Sequence, residues 1–140
     1  MINKIKVFID TNIPIYVAGS QHPNKNSSLN ILKLVSNGDI IGITSTEVLQ
    51  EILYRYKAIN LLEKGIEVYD YFTQAVDEVL PINFQILNNT RDILENKKYK
   101  DVYPRDAIHV ATMNYYNIRY IATHDKHFKL FKEIKYYLIK

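Results

Sequence analysis

An α/β domain with a mainly parallel sheet is the fold that the sequence predicts, on three observations. Short apolar runs of strand length recur along the chain. Stretches with 3.6-residue apolar spacing separate them, and one loop-like cluster rich in Gly, Pro, Asn and Ser, Gly19 to Ser28, connects elements within the chain. Alternation of this kind covers a parallel sheet with helices. The 140 residues, 47% hydrophobic and 24% charged, suit one core, so a single domain over 1–140 is expected.

The elements follow in order. Residues 5–9 read as a buried strand and 13–18 as a short helix. "GSQHPNKNSS", Gly19 to Ser28, is a connector, and a helix over 28–37 is ended by Gly38. "DIIGIT" at 39–44 is a strand. A long helix over 45–63 carries the stripe Val48, Leu49, Ile52, Leu53, Tyr56 and Ile59, and a second helix spans 65–78. "VLPI" at 79–82 is a short strand, followed by helices over 83–98 and 104–117, the latter opened by Pro104. "RYIAT" at 119–123 is a strand, "KLF" at 129–131 a helical turn, and "YYLI" at 136–139 a last strand.

Composition excludes several functions. With no cysteine there is no disulfide framework, Cys-ligated zinc, iron–sulfur cluster or thiol nucleophile. The opening apolar run is too short for a signal peptide or membrane span, so a cytoplasmic location with no membrane partner is expected. A net charge of +3 permits a nucleic-acid partner without arguing for one.

Carboxylates carry the chemistry. In open parallel sheets ligands bind beyond the carboxyl ends of the strands. Asp10 ends the first strand in "KVFIDTNI", and Asp125 lies just past "RYIAT". Asp106 stands in the first turn of its helix, where an acid also complements the helix dipole. On the long helix, Glu47 lies nearly opposite the apolar stripe, and Thr44-x-x-Glu47 has capping-box spacing. Glu51 lies nearer the stripe's edge, one turn before Arg55, and is the glutamate expected to face a site. Converging like charges repel unless a cation joins them. An oxygen-only donor set without cysteine points to Mg²⁺ or Mn²⁺. Such ions activate water against a phosphodiester and need no protein nucleophile.

The sequence resembles a PIN-domain ribonuclease, above all the VapC-type toxins of prokaryotic toxin–antitoxin pairs. The motifs that carry the resemblance are "FIDTNI" with Asp10, "TSTEVLQEIL" with Glu51, "PRDAIHVAT" with Asp106 and "IATHDKHF" with Asp125. Each is weak singly, and four in order across nearly the whole chain are strong. The resemblance implies a three-layer α/β/α domain and acids that bind Mg²⁺ or Mn²⁺ for RNA hydrolysis. In that scheme Asp10 and Asp125 bracket the metal, while Glu51 and Asp106 complete its shell. Thr11, Asn12 and Thr123 match polar positions that orient ligands or substrate. It further implies a small antitoxin protein as partner, and a homodimer. In the last motif relatives often read T-x-D-x-D-F, and here His127 replaces the second acid.

Other readings compete with parts of this one. His109, three residues after Asp106, is expected to be a packed, hydrogen-bonded histidine rather than a ligand or base. His124 and His127 read as solvated loop residues, and Lys129, Lys132 and Lys135 as a basic face able to steer RNA. A phosphorylated receiver domain is disfavoured, because Asp10 lacks an acidic neighbour and no lysine closes "RYIAT". A catalytically silent PIN-fold module for RNA binding or interaction is favoured by His127 and opposed by the four acids.

Overall fold

β1 (Lys6–Ile9) explains the architecture. Val7, Phe8 and Ile9 are all fully buried, so neither face of this strand meets water. A strand with no polar face must lie at the middle of a covered sheet. In the computed structural model, which describes residues 4–137, β1 is flanked on both sides. Phe8 pairs with Ile43 of β2 (Ile41–Ser45) and with Ile121 of β4 (Tyr120–Ala122). β3 (Glu78–Leu80) and β5 (Lys135–Tyr136) form the edges, giving the order β3-β2-β1-β4-β5. Every pairing is parallel.

Each return to the start of a new strand needs a helical crossover. α1 (Asn12–Ala18) and α2 (Lys25–Ser36) join β1 to β2. α3 (Thr46–Ala58) and α4 (Leu62–Ala75) join β2 to β3. α5 (Phe84–Glu95) and α6 (Pro104–Tyr115) join β3 to β4. α1–α4 pack among themselves and α5 packs on α6, forming the outer layers of a three-layer α/β/α fold. The chain moves outward from β1 to β3, then crosses back to β4. The sheet therefore has its switch point between β1 and β4, where open α/β sheets form their binding crevice.

Helix ends account for most departures from the sequence reading. Gly38 (φ 76°) ends α2, and Asn60 (φ 61°) and Asn117 (φ 58°) do the same for α3 and α6. In each, two backbone N–H groups return to the last turn: Gly38 to Val35 and Asp39 to Leu34, Asn60 to Lys57 and Leu61 to Tyr56, Asn117 to Asn114 and Ile118 to Met113. Asn60 thus cuts the helix expected over 45–63 at Ala58. The chain then doubles back so closely that a Cβ on Gly65 would stand 2.6 Å from Cβ of Tyr56. α2 starts three residues before the expected 28, because the Ser27 and Ser28 hydroxyls donate back to the Asn24 carbonyl and leave the helix intact. β5 is shorter than the strand expected over 136–139, whose last two residues lie outside the described ones.

Candidate active site

The stretch Asp10-Thr11-Asn12 leaves β1 at the switch point, and each side chain has separate work. Asp10 is 6% exposed, and its N–H still bonds Ala122 of β4 at 3.1 Å. Its Oδ1 accepts the Thr11 N–H at 2.7 Å, and its Oδ2 accepts the Thr123 hydroxyl at 2.8 Å. The Asn12 amide donates to Thr123 Oγ1 at 3.0 Å, and its oxygen accepts the His124 N–H at 3.2 Å. Thr11 starts α1 without a side-chain cap; its hydroxyl donates to Glu51 Oε1 at 3.0 Å. The three residues tie β1 to α3 and to the loop after β4, a larger task than capping one helix.

Glu51 is 7% exposed on α3 and lines the same cavity as Asp10. Arg105 and Arg55 approach its Oε2 at 3.5 and 3.8 Å. Burial opposes its charge, but His109, the Thr11 hydroxyl and Arg55 outweigh burial and hold the carboxyl below its usual range. Glu47 is only half-buried and does not line the cavity; burial, with the charge of Glu51, pushes its pKa up. The expected Thr44–Glu47 capping box does not form. β2 runs one residue further than read, Thr44 donates to the Ile9 carbonyl, and Ser45 caps α3 by accepting the Val48 N–H at 3.3 Å.

Asp106 and Asp125 form the outer wall. The Thr123 hydroxyl oxygen accepts the Asp125 N–H at 3.0 Å, and the Tyr136 hydroxyl donates to the Asp125 carbonyl at 2.7 Å, which fixes the loop after β4. Burial first, and then the charge of Asp125, push the pKa of Asp106 up. His127 opposes that rise: its Nδ1 lies 3.3 Å from Asp106 Oδ2 and 3.1 Å from Asp125 Oδ1. One ligand atom from each of Asp106, Asp125 and His127 lies within 4.8 Å of the others, a spacing that one cation can span.

His109 is packed as the sequence reading has it, against the ring of Phe8, but its hydrogen bonding departs from that reading. It is buried, at 1% exposure, yet its Nε2 faces Asp10 Oδ1 at 3.6 Å and Glu51 Oε1 at 3.8 Å, too far for good hydrogen bonds. Among the described residues its Nδ1 has no hydrogen-bond partner. Burial disfavours its charge, but Glu51, Asp10 and Asp106 override burial and raise its pKa. One turn of helix separates it from Asp106, and that spacing was the available signal.

The four predicted acids, with Thr11, Asn12 and His127, therefore line one cavity of about 210 Å³, rimmed by Tyr103, Arg55 and Arg105. Thr123 stands behind it, on Asp10. Neither arginine was singled out from sequence as part of the site. Concentrated negative charge of this kind suits a hard divalent cation near a phosphodiester.

Comparison with known proteins identifies the class: residues 7–134 match the PIN domain family, to which this chain belongs. Within it the chain falls among the VapC ribonucleases. It is 36% identical over 129 residues to VapC ribonuclease Mb1869c of Mycobacterium bovis and to ribonuclease VapC13 of Mycobacterium tuberculosis, a match covering 92% of this chain and 97% of either relative. The fold is also that of VapBC2 from Rickettsia felis, solved bound to a DNA fragment from its promoter: TM-score 0.74 at 18% identity, covering 95% of this chain and 98% of the other.

Proposed function

We propose that this chain is a divalent-metal-dependent endoribonuclease that acts as the toxin of a type II toxin–antitoxin pair. One observation carries the chemistry. Four carboxylates from four separate segments converge on one cavity at the sheet's switch point, flanked among the described residues by two arginines, the buried His109 and the exposed His127. Asp10, Glu51, Asp106 and Asp125 are the residues that would hold Mg²⁺ or Mn²⁺. The ion would supply an activated water and neutralise charge on the scissile phosphate. Thr11, Asn12 and Thr123 keep Asp10 and the loop of Asp125 in place. Arg55 and Arg105 stand where RNA phosphates would enter, and phosphate contacts of this kind weaken with salt.

Cleavage of an RNA oligonucleotide tests this reading. EDTA should stop the reaction, Mn²⁺ or Mg²⁺ should restore it, and the ends should be 3′-hydroxyl and 5′-phosphate. A 2′,3′-cyclic phosphate formed in EDTA overturns the mechanism. The silent PIN-fold module is the second reading, favoured by His127 at a commonly acidic position; it predicts RNA binding without cleavage.

The toxin role rests on the VapC ribonucleases among the relatives and on the VapBC assembly that shares the fold. A small antitoxin reading frame beside the gene would support it. Cytoplasmic location belongs to the same proposal; among the described residues no helix is long and apolar enough to cross a membrane. A homodimer also belongs to it, supported by exposed apolar residues such as Tyr54, Ile59 and Ile66 on α3, its C-cap and α4. Light scattering that finds only monomer at micromolar concentration removes that part.

A further inference from the structure

We infer that His127 binds the metal directly through Nδ1 and shifts the site's preference from Mg²⁺ toward Mn²⁺. This rests on the metal-dependent reading above and specifies its donor set. Two ligands at right angles, each about 2.1 Å from a shared ion, stand about 3 Å apart. Nδ1 of His127 is 3.1 Å from Asp125 Oδ1 and 3.3 Å from Asp106 Oδ2. The ring thus already occupies a position that an octahedral ion shared with both acids would require.

The backbone holds the ring there. The His127 N–H donates to Asp125 Oδ1 at 2.9 Å, and the next residue, Phe128, is fully buried with its N–H on the Tyr136 hydroxyl at 3.1 Å. The side chain itself is 66% exposed, so water reaches its far side and the ring can settle onto an ion at little cost.

The other three histidines are engaged elsewhere. His124 Nε2 meets the Ser28 hydroxyl at 2.8 Å, and His22 Nδ1 accepts the Asn24 N–H at 3.0 Å. His109 Nε2 faces the inner pair, Asp10 and Glu51. An imidazole in place of a carboxylate removes one negative charge and adds a softer donor. Both changes disfavour Mg²⁺, which prefers charged oxygen, relative to first-row transition ions.

Pulsed electron paramagnetic resonance of the full chain loaded with Mn²⁺ tests this. The expected signal is a coupling between Mn²⁺ and one ¹⁴N nucleus. It should persist in His109→Gln and vanish in His127→Asp, which keeps Mn²⁺ bound through an oxygen. Calorimetry should show the Mn²⁺-over-Mg²⁺ preference narrowing in His127→Asp. Bound Mn²⁺ without ¹⁴N coupling, or with a coupling that survives His127→Asp, overturns direct ligation and leaves the nuclease reading standing. Mn²⁺ that stays wholly free overturns both.

Discussion

Asp10 and Asp106 face one cavity, yet the chain surrounds them differently. Asp10 is buried and accepts hydrogen bonds from Thr11 and Thr123, placed by β1 and the loop after β4. Asp106 is less buried, meets His127 at 3.3 Å and is pushed toward its neutral form by burial and by Asp125. The inner half of the site, Asp10 and Glu51 with Thr11, is thus built into the fold. The outer half, Asp106 and Asp125 with His127, stores repulsion that a cation would relieve. A fold can hold one acid rigidly as an anchor and leave others strained for a ligand.

Cleavage gives the largest expected effect and tests whether both halves serve one reaction. Asp10→Asn and Asp106→Asn should each lower metal-dependent RNA cleavage by at least ~100-fold, since even residues behind metal ligands cost ~10–100-fold. Single-turnover rates on one oligonucleotide measure this. Full activity in either variant would detach that half from the chemistry.

The halves should also separate with pH. Ligands must shed protons to bind metal. The pKa of Asp106 is raised, so as pH falls it takes up a proton above the ordinary carboxylate range. In His127→Gln, which removes the imidazole inferred to be a further ligand, Mn²⁺ affinity should therefore start to fall above that range, by up to about tenfold per pH unit for each proton displaced. Calorimetric titrations at a series of pH values give the curve. Affinity that stays level until the ordinary aspartate range would mean that Asp106 is not strained.

Stability without metal should move in opposite directions. Asp10→Asn sets an amide against the Thr123 hydroxyl and should cost about 1–3 kcal/mol. For Asp106 the folded pKa lies above the unfolded one. Its stabilising contribution is present at acid pH and lost as pH rises through the folded pKa, so at neutral pH its charge weighs against folding. Asp106→Asn should then stabilise the protein in EDTA by about 0.5 kcal/mol, a small figure because solvent screens a part-exposed group. Thermal unfolding of the two variants in EDTA measures both; equal losses would erase the distinction between the halves.

Much of this was legible in the sequence, for local reasons. Apolar runs ending in Asp10, and in Thr123 two residues before Asp125, announce strands whose carboxyl ends share an edge. The helix wheel separates Glu51 from Glu47 because burial follows the apolar stripe. What escaped depends on contacts between distant segments. Arg105 reaches Glu51 across two elements, and Tyr136 braces a loop eleven residues earlier. The unmatched Nδ1 of His109 shows only after packing is known. Asn60 and Asn117 were readable as left-handed helix ends like Gly38, but asparagine is a weaker signal than glycine.

The smallest expected effect concerns the start of α3, which decides which glutamate reaches the inner half. Ser45, not Thr44, caps this helix, so Glu47 falls in its first turn and outside the cavity. Ser45→Ala removes the acceptor of the Val48 N–H and should cost about 0.5–2 kcal/mol. Glu47→Gln touches no cap. It loses a favourable first-turn charge, and it also relieves a half-buried carboxylate whose pKa burial raises. These effects oppose, and the net change should stay within about 0.5 kcal/mol. Glu51→Gln, by contrast, should abolish cleavage, because it alters an acid within the cavity whose Oε1 is fixed by the Thr11 hydroxyl. Urea unfolding and cleavage rates of the three variants decide the matter. Loss of activity in Glu47→Gln with activity kept in Glu51→Gln would mean that α3 presents its other face, and the inner half would have to be rebuilt around Glu47.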